Sequence, residues 1–84
     1  MRNNYKPRPS SYVLAHRALI EEYTRMGNVP LSIEQAERKL KCTPGIRFSE
    51  GTTLEDVFKT LSIWRLVFRG KVAGLGERII PLEG

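Results

Sequence analysis

The chain has one cysteine, one histidine and one tryptophan in 84 residues. A single thiol, Cys42, excludes an internal disulfide. With the lone histidine, His16, it also leaves no ligand set for a structural zinc, so no metal and no cofactor is expected. Long apolar runs are missing as well. The longest, LSIWRLVF at 61–68, is eight residues and contains an arginine. A bilayer span needs roughly 20 apolar residues. The opening residues, MRNNYKPRPSS, hold no apolar segment of the kind that directs secretion. These absences point to a reducing cytoplasm as the working compartment and exclude membrane work.

Acidic residues are scarce too. Nine of them face fourteen lysines and arginines, a net charge of +5. That balance suits a polyanion, such as nucleic acid, or an acidic protein surface. The length gives one small domain, which buries only about 60% of its unfolded surface and has little room for an enclosed active site. No catalytic residues are expected. His16 lies in a helical apolar stripe with no acid–base partner near it in sequence, and nothing around Cys42 marks a nucleophile. Glu21 and Glu22 are adjacent, so they diverge around a helix and read as solvated surface charges.

Along the chain, residues 1–10 read as a flexible basic arm. Lys6-Pro7-Arg8-Pro9 is barred from helix, and Lys6 and Arg8 are placed to meet phosphates. Residues 11–84 form the domain. Ser10 or Ser11 caps a first helix to about residue 26, whose apolar positions include Tyr12, Val13, Leu19, Ile20, Tyr23 and Met26. Gly27-Asn28 stops it. A short extended link, 28–31, leads to a helix at 32–41, opened by the Ser32/Gln35 capping box. Residues 42–52 form a long connection turned by Pro44-Gly45, with Ile46 and Phe48 as anchors to the core. A third helix at 53–62 opens with the pair Thr52/Glu55 and buries Leu54, Val57, Phe58 and Leu61.

Residues 63–69 admit two readings. As a strand, Trp64, Leu66 and Phe68 share one face and Arg65 and Arg69 the other. As helix, the third helix runs on to Gly70. The alternation and the β-branched Ile63 and Val67 favour the strand. The segment 78–82 then returns as its partner, and Pro81 assigns that second strand to a sheet edge.

The loop between them, within RGKVAGLGERII at 69–80, invites comparison with phosphate cradles. Arg65 stands where a Walker loop needs its first glycine, and Val72 follows the lysine in place of Ser or Thr. The dinucleotide pattern starts at Gly74 and Gly76 but meets Ile79 where the third glycine belongs. Gly70, Gly74 and Gly76 are instead assigned to the turn of a hairpin, where they permit positive φ.

The succession of three helices and a C-terminal hairpin is an α+β, winged helix-like architecture. The segment GNVPLSIEQAERKL is similar to the link and second helix of the winged helix-turn-helix superfamily, and WRLVFRGKVAGLGERIIPL resembles its wing. The resemblance, which extends over most of residues 11–82, implies a third helix presented to the major groove and a wing on the backbone or minor groove of duplex DNA. It brings to mind small phage or plasmid transcriptional regulators and replication accessory factors. The sequence departs from the pattern in its long 42–52 connection and in Glu55 and Asp56 at the start of the third helix. The expected DNA contacts are Lys6, Arg8, Lys41, Arg47, Lys59, Arg69, Lys71 and Arg78, with Arg38, Lys39 and Arg65 as further basic residues. The competing expectation is a protein–protein module that binds and modulates a host protein. Under either reading the edge at 78–82 and the apolar IWRLVF segment offer a homodimer contact.

Overall fold

The computed structural model describes residues 10–83. The expected arm residues Lys6 and Arg8 lie outside them. The elements run α1 (Ser11–Arg25), β1 (Leu31–Ser32), α2 (Ile33–Cys42), α3 (Leu54–Ile63), β2 (Val67–Val72) and β3 (Gly76–Pro81). The three strands form one antiparallel sheet in the order β1-β3-β2. The α+β class and the three helices agree with the sequence reading to within a residue or two at each end.

Local chemistry accounts for the helix boundaries. The Ser10 hydroxyl accepts from Val13 N–H and opens α1. The Ser32 hydroxyl accepts from Gln35 N–H at 3.0 Å and opens α2, but the Gln35 side chain turns elsewhere, so the box is half made. The box of α3 forms one residue later than expected: Thr53 and Asp56, not Thr52 and Glu55, exchange side-chain bonds with each other's backbone N–H. Two threonines before two acids satisfy the pattern in either register. The backbone decides it, because Thr52 N–H is already bonded to Ser49 C=O in the preceding turn.

Helices α1 and α3 end alike. Asn28 N–H reaches Tyr23 C=O and Gly27 N–H reaches Thr24 C=O. At the end of α3, Leu66 N–H reaches Leu61 C=O and Arg65 N–H reaches Ser62 C=O. Both are Schellman closures, which need a left-handed residue just past the cap. In α1 that residue is Gly27, with φ 81°. In α3 it is Arg65, with φ 63°. A side chain in this region costs about 1–2 kcal/mol, partly offset by glycine's greater freedom in the unfolded chain. Arg65→Gly should therefore raise the urea midpoint at unchanged slope, by roughly 0.5–1 kcal/mol of stability. A lowered midpoint would show that the arginine side chain holds the corner.

The closure at Arg65 corrects the reading of residues 63–69. The helix persists through Ile63, residues 64–66 turn, and the strand starts at Val67. The facing is reversed as well. Val67 is buried and Phe68 is 44% exposed, so Val67 and Arg69 lie on the core side while Phe68 looks outward. Trp64 is not in the strand at all. It caps α3 and meets Tyr12 edge-on at 5.2 Å, and Tyr12 in turn touches Phe48 at 5.0 Å.

Two further corrections concern the hairpin. Its turn is only residues 73–75, with Gly74 and Gly76 at φ 81° and 82°. Gly70 is inside β2, beneath the Phe68 ring, where an added Cβ would lie 2.9 Å from Phe68 Cζ. Strand β3 is the central strand and not an edge. Pro81 is tolerated there because of its phase. Leu82 N–H donates to Leu66 C=O, so the amides of Ile80 and Leu82 face β2. The nitrogen of Pro81 faces the other side, past the end of the two-residue β1. At Arg78 and Ile79 the expected dimer contact along 78–82 finds both sides of the strand already paired.

The core sits between the helices and the inner face of the sheet. Leu19, Ala36 and Leu40 come from α1 and α2, Val57, Phe58 and Leu61 from α3, and Leu31, Val67 and Ile79 from the strands. Ile46 and Phe48 anchor the connection to it, as expected. Arg47 is pinned between these anchors, its backbone N–H and C=O both bonded to the Ser11 hydroxyl. On α1 the stripe is rotated from the expected one: Val13 and Met26 are exposed, while Ala15, Ala18 and Glu22 are buried.

Candidate nucleic-acid interface

The hairpin carries three of the expected contacts in different states. Antiparallel register sets Arg69 opposite Ile79, Gly70 opposite Arg78 and Lys71 opposite Glu77. Arg69 emerges on the core side and is caught there. Its guanidinium pairs with Glu55 of α3 and lies 3.7 Å from Glu77 of β3. It ties helix to hairpin and is largely neutralised. The exposed Lys71 and the half-buried Arg78 have no ion pair among the described residues. Arg78 donates through Nε to Leu75 C=O at 3.0 Å, which braces the turn.

The acidic start of α3 is also spoken for. Glu55 holds Arg69, and Asp56 caps its own helix. Lys59, exposed one turn further along the same helix, has no ion pair among the described residues. Lys41 is exposed in the last turn of α2. Of the other basic residues, Lys39 is bound to Glu21 at 2.8 Å and Arg65 is exposed at the end of α3.

The structure does not gather these residues on one face. Ser11 holds Arg47 beside the start of α1, and Tyr12 and Trp64 meet at that same end. Strand β2 leaves this end and runs six residues to the hairpin turn, a distance of about 20 Å. The chain therefore enters the described fold at the Trp64 end, through Ser10. Lys71 and Arg78 lie at the other end.

A feature unforeseen in sequence is a polar knot between α1 and α2. Glu22 is 7% exposed, not a solvated charge. Its carboxylate accepts from Arg25 Nε at 3.1 Å, from Arg25 Nη2 at 2.8 Å and from Gln35 Nε2 at 3.2 Å. The signal was present: positions 15, 18, 19 and 22 share one helical face, so the stripe that buries Leu19 buries Glu22. The knot borders an open groove of about 460 Å³ that also meets Met26, Arg38 and Cys42. Charges of both signs line it.

The Arg25 hydrogen bonds lower the Glu22 pKa below 4.5, against the opposing effect of burial and with help from Gln35. A depressed carboxylate pKa adds stability above its unfolded value, and that stability is lost as pH falls through the folded one. Stability should therefore fall as pH drops below about 4.5. In Glu22→Gln this acid limb should be shallower in urea titrations at stepped pH. An identical limb would remove Glu22 from the linkage.

The remaining chemistry-bearing residues are engaged or isolated. His16 Nε2 is 2.6 Å from Leu82 C=O and holds the C-terminal segment against α1. Cys42 is free and exposed at the end of α2. Among the described residues no group of His, Cys, Asp or Glu has the arrangement of a metal site, and no helix is long and apolar enough to cross a membrane. No family model, curated protein or solved structure matches the chain.

Proposed function

We propose that the chain is a winged helix-turn-helix type domain that binds duplex DNA as a small regulator or replication accessory factor. One observation carries this reading: a C-terminal hairpin, stapled to the third helix through Arg69 and Glu55, whose strands carry beside the turn a lysine and an arginine, Lys71 and Arg78, with no ion pair among the described residues. The charge distribution supports it. Arg2, Lys6 and Arg8 put three of the fourteen basic residues in the first nine positions, where no acid occurs. Electrostatic contact with phosphates needs no bound metal and no enclosed pocket. The outward α3 face, with Glu55, Asp56 and Lys59, is poor in base-reading donors. The binding is therefore of the backbone-contacting kind, with weak sequence preference.

Within this account Lys71 and Arg78 touch phosphate, and Arg69 sets the angle of the hairpin against α3. Lys71→Ala and Arg78→Ala should each reduce the slope of log K against log salt by roughly 1, without a preference for any base sequence. Fluorescence anisotropy with random duplex at several salt concentrations measures this. An unchanged slope in the double variant would take the hairpin out of the interface.

A further inference from the structure

The end of the fold opposite the hairpin turn holds an aromatic cluster that the duplex reading leaves unused. Tyr12 and Phe48 pack against the core, whereas Trp64 stands outside it. The Tyr12 and Trp64 rings meet edge-on, with centroids 5.2 Å apart and planes at 68°. Such a contact engages at most one face of the indole, and Trp64 remains 53% exposed. Ile63 beside it is 69% exposed. An indole braced by Tyr12 and otherwise open is a platform on which a flat ring can stack.

Cations border this platform. Arg65 follows Trp64 in the chain, and Lys59 lies one helical turn before Ile63 on α3. Arg47 is held to Ser11, the neighbour of Tyr12, by its backbone, so that contact leaves its guanidinium unused. All three are exposed, and none has an ion pair among the described residues. The fold explains a left-handed residue at position 65 but not an arginine, since φ is 63° and glycine is the usual occupant. A cation beside the indole is what the arginine adds. Two exposed acids, Glu50 and Glu83, lie close in the chain to Phe48 and Leu82. The cations outnumber them, and the acid-free first nine positions join the fold at this end through Ser10. An acidic peptide would answer the cations but not the ring. A strand with unpaired bases answers both, because each nucleotide brings a flat π-face and a phosphate.

We propose that Trp64 is a stacking site for an unpaired base of single-stranded DNA, with Arg47, Lys59 and Arg65 on the phosphates of that strand. The stacking site does not depend on the hairpin; the choice of DNA as the strand rests on the duplex reading above. Trp64 is the single tryptophan of the chain, so its emission reports the contact directly. A short oligothymidylate added to the full chain at low salt should quench it saturably. A length-matched duplex, whose bases are already stacked on one another, should not, and neither should a length-matched abasic strand. In fluorescence anisotropy with labelled oligothymidylate, Trp64→Ala should weaken binding by about fivefold to a hundredfold and Trp64→Phe by much less. Arg47→Gln and Arg65→Gly should each lower the salt slope by about 0.7, and circular dichroism checks that the variants are folded. Unchanged emission at saturating strand, or a strand that fails to bind at millimolar concentration, overturns the proposal. So does equal quenching by the abasic strand or the duplex, an affinity indifferent to Trp64→Ala, or a slope unchanged in both arginine variants. Oligouridylate bound tenfold more tightly than oligothymidylate would assign the site to RNA and overturn it too. Failure of this site with duplex binding intact leaves the hairpin reading standing, since that is judged at Lys71 and Arg78.

Discussion

Raising salt from 50 to 200 mM should weaken binding to random duplex DNA roughly a hundredfold. The figure follows from counterion release: log K falls with log salt at a slope of about −0.9 per neutralised phosphate, and four contacts over a fourfold change in salt give that loss. Four is the number of basic residues that the proposal places on phosphate: Lys71 and Arg78 on the hairpin, and Lys6 and Arg8 in the first nine positions of the chain. Arg69 is left out because Glu55 and Glu77 already hold it. Lys39 is left out because Glu21 does. A slope near −4 would agree with this set. A slope near −1 would leave a single contact and point to a partner other than the DNA backbone.

Phe58→Ala should remove most of the stability of the domain. Phe58 is fully buried and is the largest of the wholly enclosed side chains. Removing such a ring costs about 3–5 kcal/mol through lost transfer energy and the cavity left behind. Domains hold only about 5–15 kcal/mol in total, and small ones sit at the low end. The folding constant should drop between a hundredfold and a few thousandfold. Urea denaturation followed by circular dichroism measures the loss. Phe68→Ala, at an outward position, should cost about 1 kcal/mol or less. Equal losses at the two positions would mean that the sheet faces the opposite way from that described here.

The contrast between Phe58 and Phe68 also shows how far the sequence can be read. The helices were legible because their start signals are local: Ser10 and Ser32 each bond an amide three residues on. The strand phase was not. From Ile63 to Phe68 every residue but Arg65 is apolar, so helical and alternating periods fit equally well until tertiary packing chooses. The signal that closes α3 is normally a glycine, as at Gly27, and here an arginine takes its place. Nothing local marks Arg65 as left-handed. Pro81 misled for a related reason. Proline excludes a hydrogen bond on one side of a strand only, and sequence does not say which side is vacant.

For the candidate site, the basic character of the hairpin was legible, as was the failure of its glycines to form a phosphate loop. Which cations remain free was not. Arg69 and Glu55 are fourteen residues apart, and their pairing depends on how α3 lies against β2. Glu21 and Glu22 are indistinguishable as sequence neighbours, while helical geometry buries one and leaves the other open to Lys39. The separation of the hairpin turn from Arg47 likewise follows from the path of β2 and not from any residue in it.

The most direct test of the hairpin as a DNA contact is amide chemical-shift mapping of the full chain titrated with a random duplex at low salt. The account predicts the largest changes at Lys71 to Arg78, with smaller ones along α3 near Lys59. Changes confined to the groove between α1 and α2, or none at saturating duplex, would contradict it.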